Sequence, residues 1–596
     1  MAGHPIEKQL ARLELLHRIG LALSSEKNRG RLLETIVVEA KNACHADGGT
    51  LYLRTPDNHL RFAIMINDSL GIRLGGTTGI PIDLPPIPMC DPVTGCPNEC
   101  NVASYAASLK RSVNVADAYD TQSFDFSGTK RFDTHHSYRS ESFLTIPMVS
   151  YEDRVIGVFQ LINALDETGK VVPFSLEDQS FAESLASQAG IALDNQALLD
   201  EQRVLMESFI KVLAAATDAK SPYTGGHCER VPILAEMLVQ AACDDTSEAF
   251  SAFSLSDDER YEFRIAAWLH DCGKVVTPSH VMDKMTKLEA VTDRIQAVRD
   301  RFEILRRDVE LDGWRRYRGG EVTLEGMADF VGARFAELDE DLSFLLQVNI
   351  GSESLDDLDV HRIHRIAGRR FRRGTEDVPL LSCDEVTNLS VRRGTLSEAE
   401  RLVINGHVVE TIKMLESLPF PRNLSRVPEY AGAHHERMDA KGYPRGIHAG
   451  DASIPARIMV VADVFEALTA KDRPYKVGKR LSEAMEIMGQ MKLHNHLDPD
   501  IFNLFVRSGT YLSYAHRYLS KEQLDRVDEA QLLAIKPLPF QWLSDEEREM
   551  RKESILPDYG KPRDGSFHPP PMSISDWVPP SYKSKLDLES FDEEQS

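Results

Sequence analysis

The spacing of apolar residues divides the chain into stretches of different character. Within the first 195 residues, Leu10–Leu23 and Leu32–Ala43 repeat at helical spacing. Gly49–Arg54, Leu60–Ile66, Ser142–Val149 and Val155–Asn163 read as strands, the last two flanking a short polar loop, Ser150–Arg154, of hairpin type. Strands enclosed by terminal helices predict an α+β domain over residues 1–195. From Glu177 to Asp218 the period is helical, with Gly190 as the single breaker. Leu185, Ala189, Ala192, Leu199, Leu205 and Phe209 lie near one stripe of this linker, 180–219. A helix of that length joining two domains is expected to bury its stripe against a second copy, as a parallel homodimer.

Between 205 and 510 helical periods dominate, which predicts an all-α domain over 205–288 and 395–510. Residues 289–394 interrupt it with a segment dense in Arg, Asp and Glu, where Ile295, Val298, Phe302 and Leu305 recur at helical spacing. Arg369–Arg373 within it reads as a solvated helical face and loop. A helical extension is expected over 511–536, and a disordered tail over 537–596, where prolines give way to an acidic end.

Composition narrows the function classes. Acidic residues exceed basic ones by 93 − 69 = 24 across 596 residues, so a cationic surface for duplex nucleic acid is not expected. No apolar run approaches bilayer length, and Glu7, Lys8, Arg12 and Glu14 are unlike a signal peptide. Eight irregularly spaced cysteines suit reduced thiols in the cytoplasm, and Cys90, Cys96 and Cys100 read as loop thiols rather than a metal site.

The candidate chemistry is concentrated between 205 and 510. His434-His435 follows the apolar run Val427–Ala433 and ends in a Gly442-Tyr443-Pro444 turn. Tyr223-Thr224-Gly225-Gly226-His227 is a glycine turn feeding a helix over Val231–Ala242. His270 and Asp271 fall on the last turn of a helix packed through Ile265, Trp268 and Leu269, with Gly273 as its C-terminal stop. His407 sits mid-helix behind the capping box Ser397–Glu400, and Asp463 lies off the core face of a helix over Pro455–Ala470. Five imidazoles and two carboxylates from separate helical segments suit a two-metal hydrolytic site, in which a carboxylate bridges cations about 4 Å apart. Mixed nitrogen and oxygen ligands favour Fe or Mn over a structural zinc site.

His270-Asp271-Cys272-Gly273-Lys274 and His434-His435-Glu436-Arg437-Met438-Asp439-Ala440-Lys441-Gly442-Tyr443-Pro444 resemble the signature of HD-GYP phosphodiesterases. Thr286-Lys287-Leu288, Val461–Thr469 and Asp472-Arg473-Pro474-Tyr475-Lys476 extend the likeness in the family's order. The resemblance implies an all-helical fold and hydrolysis of cyclic di-GMP to linear pGpG and often onward to GMP. It implies metal ligation by His227, His270, Asp271, His407, His434, His435 and Asp463. Asp271 and Lys274 would serve catalysis, and Arg437, Asp439, Arg473 and Lys476 would contact substrate. Tyr223 stands where members with a third metal carry Glu, so two metals are expected. Ser221, Ala440 and Glu466 depart from the usual Asp, Gly and Asp, with Glu466 placed off the ligand set. The competing readings are another cyclic dinucleotide such as cyclic GMP-AMP, and a scaffold that binds without turnover.

Residues from about 15 to 195 resemble a GAF sensor domain. Asp117–Asp120, Phe124, Asp133 and Ser137–Ser140 are similar to the cyclic-nucleotide-binding type, as are Asn163, Phe174 and Asp178. Ala164 and Gln179 replace two residues of that type's motif. The resemblance implies a cyclic nucleotide as sensor ligand, contacted by Asp133, Tyr138, Arg139 and Asn163, with another ligand or dimerisation alone as the competing readings.

Overall fold

The computed structural model describes residues 5–26, 28–91, 95–220, 226–352, 354–448, 451–470, 478–539, 544 and 546. The chain separates into two units, Met1–Met206 and Glu207–Ser596.

In the first unit, α1 (Pro5–Ser25) and α2 (Arg29–Ala43) precede β1 (Ala46–Arg54), β2 (His59–Asn67), β3 (Ile72–Gly75) and β4 (Ile87–Pro88). Then follow α3 (Val102–Leu109), β5 (Val113–Val115), α4 (Ser127–His136), β6 (Phe143–Val149), β7 (Val155–Leu165), β8 (Val171–Val172) and α5 (Leu176–Lys220). The sheet is antiparallel in the order β3-β2-β1-β7-β6-β5, with β4 on β2 and β8 on β7. Successive strand residues point to opposite faces. Leu51, Ile64, Ile146 and Leu161 therefore join Leu32, Ile36, Leu185 and Ala189 in the core under α1, α2 and α5. Tyr52, Leu60 and Val158 pack on the other face against Ala103 and Ala107.

The expected stripe along α5 divides in two. Leu185 and Ala189 are buried in this unit's own core, so they need no second copy. Leu199, Leu205 and Phe209 are exposed. Gly190 does not break the helix, which runs through it. It is small because Val149 at the end of β6 presses there: an added Cβ would lie 2.6 Å from the Val149 carbonyl oxygen.

The second unit begins with the C-terminal turns of α5. It continues with α6 (His227–Asp244), α7 (Asp257–Leu269), α8 (Ser279–Met282), α9 (Ile295–Arg318), α10 (Leu324–Ile350) and α11 (Asp357–Ala367). A hairpin of β9 (Arg370–Arg373) and β10 (Glu376–Pro379) leads to α12 (Cys383–Leu389), α13 (Glu398–Glu416), α14 (Val427–Gly432) and α15 (Ile454–Thr469). The last helices are α16 (Leu481–Leu493), α17 (Pro499–Arg507), α18 (Thr510–Tyr518) and α19 (Glu529–Ala534). The continuous extension expected over 511–536 is thus two short helices with a break between them. The expected disordered tail lies almost wholly outside the described residues.

The insertion has a core of its own, with Val298, Phe302, Leu345, Ile363 and Phe371 among its members. Arg369–Arg373 is not helical. It enters β9, whose Phe371 is buried, and Arg369 pairs with the buried Asp341 at 2.7 Å. Two buried lysines tie the insertion to the surrounding helices. Lys284 Nζ reaches Glu400 at 2.8 Å and Asn388 at 3.0 Å. Lys287 donates to the carbonyls of Val391 at 2.7 Å and Leu389 at 3.1 Å, and burial pushes its pKa down to about 8. Among the described residues no helix is long and apolar enough to cross a membrane, and no disulfide forms.

Gly190→Ala separates two opposing effects. In an exposed helix it would stabilise by about 1 kcal/mol, whereas overpacking costs about 1–3 kcal/mol. The 2.6 Å approach makes overpacking win. The variant is expected to lower the thermal midpoint of the first unit, measured by calorimetry on the full chain.

Candidate metal centre

Asp271 is the hinge of the site. It is 2% exposed and stands just past α7, where His270 caps the helix and a 3-10 turn, Cys272–Val276, begins. His270 and Asp271 therefore leave the helix rather than occupy its last turn. Asp271 Oδ2 lies 3.4 Å from His227 Nε2 and 3.2 Å from His270 Nε2. Its Oδ1 lies 3.3 Å from His407 Nε2 and 3.7 Å from His434 Nε2. Asp463 Oδ1 adds a second carboxylate, 3.2 Å from His227 Nε2 and 3.8 Å from His270 Nε2. The His435 ring sits 4.3 Å from that of His434 and stacks on Tyr443 at 4.8 Å.

All seven expected ligands are thereby brought together, six of them in two groups of three with Asp463 beside His227. The ligand atoms of His227, His270 and Asp271 lie within 4.8 Å of one another, as do those of His407, His434 and His435. His227 is the first residue of α6, so the helix starts earlier than its apolar run suggests.

Local hydrogen bonds aim the imidazoles. His270, His407 and His434 direct Nδ1 at the carbonyls of Ala267, Ile404 and Ala431, at 2.8, 2.5 and 2.5 Å. That places the proton on Nδ1 and leaves each Nε2 as an electron-pair donor. His270 Nε2, His407 Nε2, His434 Nε2 and Asp271 Oδ1 are buried and accept no hydrogen bond among the described residues. Buried polar atoms normally find partners. Orphaned donors converging around a shared carboxylate fit two divalent cations.

Electrostatics separates the imidazoles: although burial opposes its charge, His227 is raised well above the usual imidazole range by Asp271, Asp463 and Glu466, whereas His434 and His435 are lowered. Burial drives His434 well below the usual imidazole range, helped by His435 and His270, and drives His435 down to about 3. Both are neutral near pH 7, as ligation requires. Burial alone would raise Asp271, but Lys274 and the neighbouring imidazoles outweigh it and hold the carboxylate well below its ordinary value. Lys274 Nζ lies 2.6 Å from Asp271 Oδ2. Although burial opposes its charge, Asp271 and Asp463 keep the ammonium protonated.

Arg437 and Asp439 pair with each other at 3.1 Å, and Arg437 also donates to the His494 carbonyl. Arg473, Lys476, Ser221 and Tyr223 lie outside the described residues. Ala440 adopts φ 59°, the left-handed conformation that glycine tolerates better. In the first unit the atoms of Asp133 and Asn163 are used internally rather than left for a ligand. Asp133 accepts from Ser140 and Tyr119, and Asn163 accepts from the amides of Glu141 and Ser142 while donating to Tyr138 and the Arg139 carbonyl. The Tyr138 hydroxyl donates to Asp47. Arg139 is exposed and pairs with Asp117 and Glu141.

Two contacts escaped the sequence reading. Glu466, expected off the ligand set, reaches His227 Nδ1, and Arg230 Nε holds its other oxygen at 2.6 Å. The signal was the i, i+3 spacing of Asp463 with Glu466 and of His227 with Arg230, which places each pair on one helix face. Gly273 is not a helix stop. It is where the 3-10 turn meets α13, and an added Cβ would lie 2.0 Å from the His407 carbonyl oxygen and 2.5 Å from the Thr411 nitrogen.

Residues 28–193 match the GAF domain family and residues 338–501 the HD domain family. The second match includes His407, His434, His435 and Asp463 but begins after His227 and His270-Asp271. A 3'3'-cGAMP-specific phosphodiesterase of Vibrio cholerae is 40% identical over 115 residues, 19% of this chain and 26% of that protein. A cyclic di-GMP phosphodiesterase of Pseudomonas aeruginosa is 35% identical over 115 residues, 19% of this chain and 27% of that protein. A cyclic di-GMP phosphodiesterase of Thermotoga maritima is 32% identical over 119 residues, 20% of this chain and 31% of that protein. The chain thus spans about a quarter to a third of the length of these curated relatives.

Gly273→Ala is expected to push α13 away and carry His407 out of reach of Asp271 Oδ1. Isothermal titration with Mn2+ should then show loss of binding in the His407, His434 and His435 group. Overpacking of this kind costs about 1–3 kcal/mol in stability as well.

Proposed function

We propose that this chain, which carries a GAF domain and an HD domain, is a cyclic-dinucleotide phosphodiesterase that hydrolyses cyclic di-GMP to pGpG or onward to GMP. The carrying observation is the Asp271 carboxylate, whose two oxygens face different imidazole groups. That geometry suits two divalent ions, Fe or Mn, held by His227, His270, Asp271, His407, His434, His435 and Asp463. When bound, such ions would supply Lewis acidity and a water of lowered pKa to a phosphodiester that otherwise repels nucleophiles.

The chain's own residues do the rest. Asp271 and Asp463 fix the anionic side of the site. Lys274 stays protonated at its edge, where its ammonium offsets charge on a non-bridging phosphoryl oxygen. Arg437 and Asp439 brace the loop that follows His435, and Arg473 and Lys476 are assigned to the substrate phosphates. The identity of 40% to a 3'3'-cGAMP-specific enzyme favours that mixed dinucleotide as the second reading.

We assign the GAF domain as the regulatory input and α5 as its route to the catalytic helices, in a parallel homodimer. Ile191, Leu198, Leu205 and Val212 recur every seven residues on α5 and are exposed. Asn195 and Gln202 fall four residues after the first two of these, at the alternate core position of the same seam. Polar residues there favour a two-stranded parallel register.

The enzyme reading is tested by incubating the metal-replete protein with cyclic di-GMP and with 3'3'-cGAMP. Linear product from the first is expected, and Asp271→Ala should lower turnover by more than the ~100-fold that loss of an outer partner costs. No cleavage of either would overturn the activity, and cleavage of the mixed dinucleotide alone would overturn the substrate. For the dimer, sedimentation should give twice the 66.9 kDa chain mass, and Leu205→Glu should give monomer.

A further inference from the structure

We propose that Glu466, clasped by Arg230, is a positioning residue that fixes the tautomer of His227 and so sets the strength of one half of the metal centre. The inference rests on the two-cation reading above and concerns how one ligand is held. His270, His407 and His434 each use the carbonyl three residues earlier to orient Nδ1. His227 is the first residue of α6 and orients Nδ1 differently. A carboxylate takes that place: Glu466, 1% exposed, faces His227 Nδ1 with Oε2.

The clasp is built from two helices at matched spacing. On α15, Asp463 and Glu466 stand three residues apart and meet the two nitrogens of the same ring, Asp463 at Nε2 and Glu466 at Nδ1. On α6, Arg230 stands three residues after His227 and gives Nε to Glu466 Oε1 at 2.6 Å. A buried carboxylate is tolerated when a cation and a donor satisfy it. With Glu466 ionised, a metal-bound His227 would keep its proton on Nδ1 and give the Nε2 electron pair to the ion. An anionic partner also makes the imidazole a stronger donor than a carbonyl does. The two halves of the centre therefore differ: His227 is supported by a carboxylate, whereas His407 and His434 are supported by carbonyls alone.

The test uses the full chain and Mn2+ as probe, read by isothermal titration and metal stoichiometry rather than turnover. In Glu466→Gln, Arg230 claims the amide oxygen and leaves the amide nitrogen facing His227 Nδ1. That nitrogen can only donate, so the ring must move its proton to Nε2, the atom the metal needs. One Mn2+ is expected to bind as in wild type, and the other about 10–100-fold more weakly. Adding Arg230→Met to Glu466→Gln frees the amide to turn its oxygen toward Nδ1 and should recover part of the lost affinity. A merely structural role would make the double variant worse. In a His227→Ala background, Glu466→Gln should cost nothing further.

Wild-type affinities for both ions in Glu466→Gln would overturn the proposal, as would further weakening in the double variant. Unchanged apo thermal midpoints are expected for the single variant. If it does not fold, Arg230→Met alone carries the test, with weakening confined to the same ion expected and unaltered binding overturning it. A wild-type chain that binds no Mn2+ would overturn the metal-centre reading itself.

Discussion

A single buried carboxylate governs the second unit. Asp271 has one oxygen toward His227 and His270 and the other toward His407 and His434, so four helical segments must converge on one side chain. A charge that is 2% exposed is stable only while its surroundings are cationic or donate hydrogen bonds. Lys274 supplies that charge at 2.6 Å. Bound divalent ions would supply more. The unit is thus organised around an electrostatic demand that apolar packing cannot meet, and its helices are placed to answer it.

Close backbone approach makes that convergence feasible. Gly273 lets the turn carrying Asp271 press against α13, the helix that carries His407. The insertion ends just before α13 and does not hang loosely from it. Lys284 binds Glu400 on α13 and Asn388 on α12, while Lys287 is held by the carbonyls of Leu389 and Val391. An added segment of about a hundred residues therefore keeps α13 in register with α8 through buried cations. It adds its own core rather than borrowing that of the site.

The first unit manages its polar groups differently. Asp133, Tyr138 and Asn163 are held by Ser140, Tyr119, Asp47 and nearby backbone, which stitches the segment after α4 to β7. In this domain the polar residues of the likeness maintain the fold. The unit leads into α5, whose early apolar residues are consumed by the domain core and whose later ones remain on the surface.

The sequence by itself determined the element types and the residue types of the candidate site. Period-two strands, 3.6-residue helices, the capping box before His407 and the seven His and Asp residues that the fold gathers were legible, because each rests on local spacing or residue type. It also misled in places. Arg369–Arg373 read as a helical face because charge density says nothing of long-range pairing, and it is a strand anchored through Asp341. Leu185 and Ala189 read as a dimer stripe because periodicity does not reveal which neighbour covers it. Tertiary structure alone decided that Asp271 divides its oxygens, that Gly273 is a contact rather than a stop, and that Glu466 and Arg230 orient His227. These are contacts between segments up to 239 residues apart, and no local pattern encodes which two helix faces will meet.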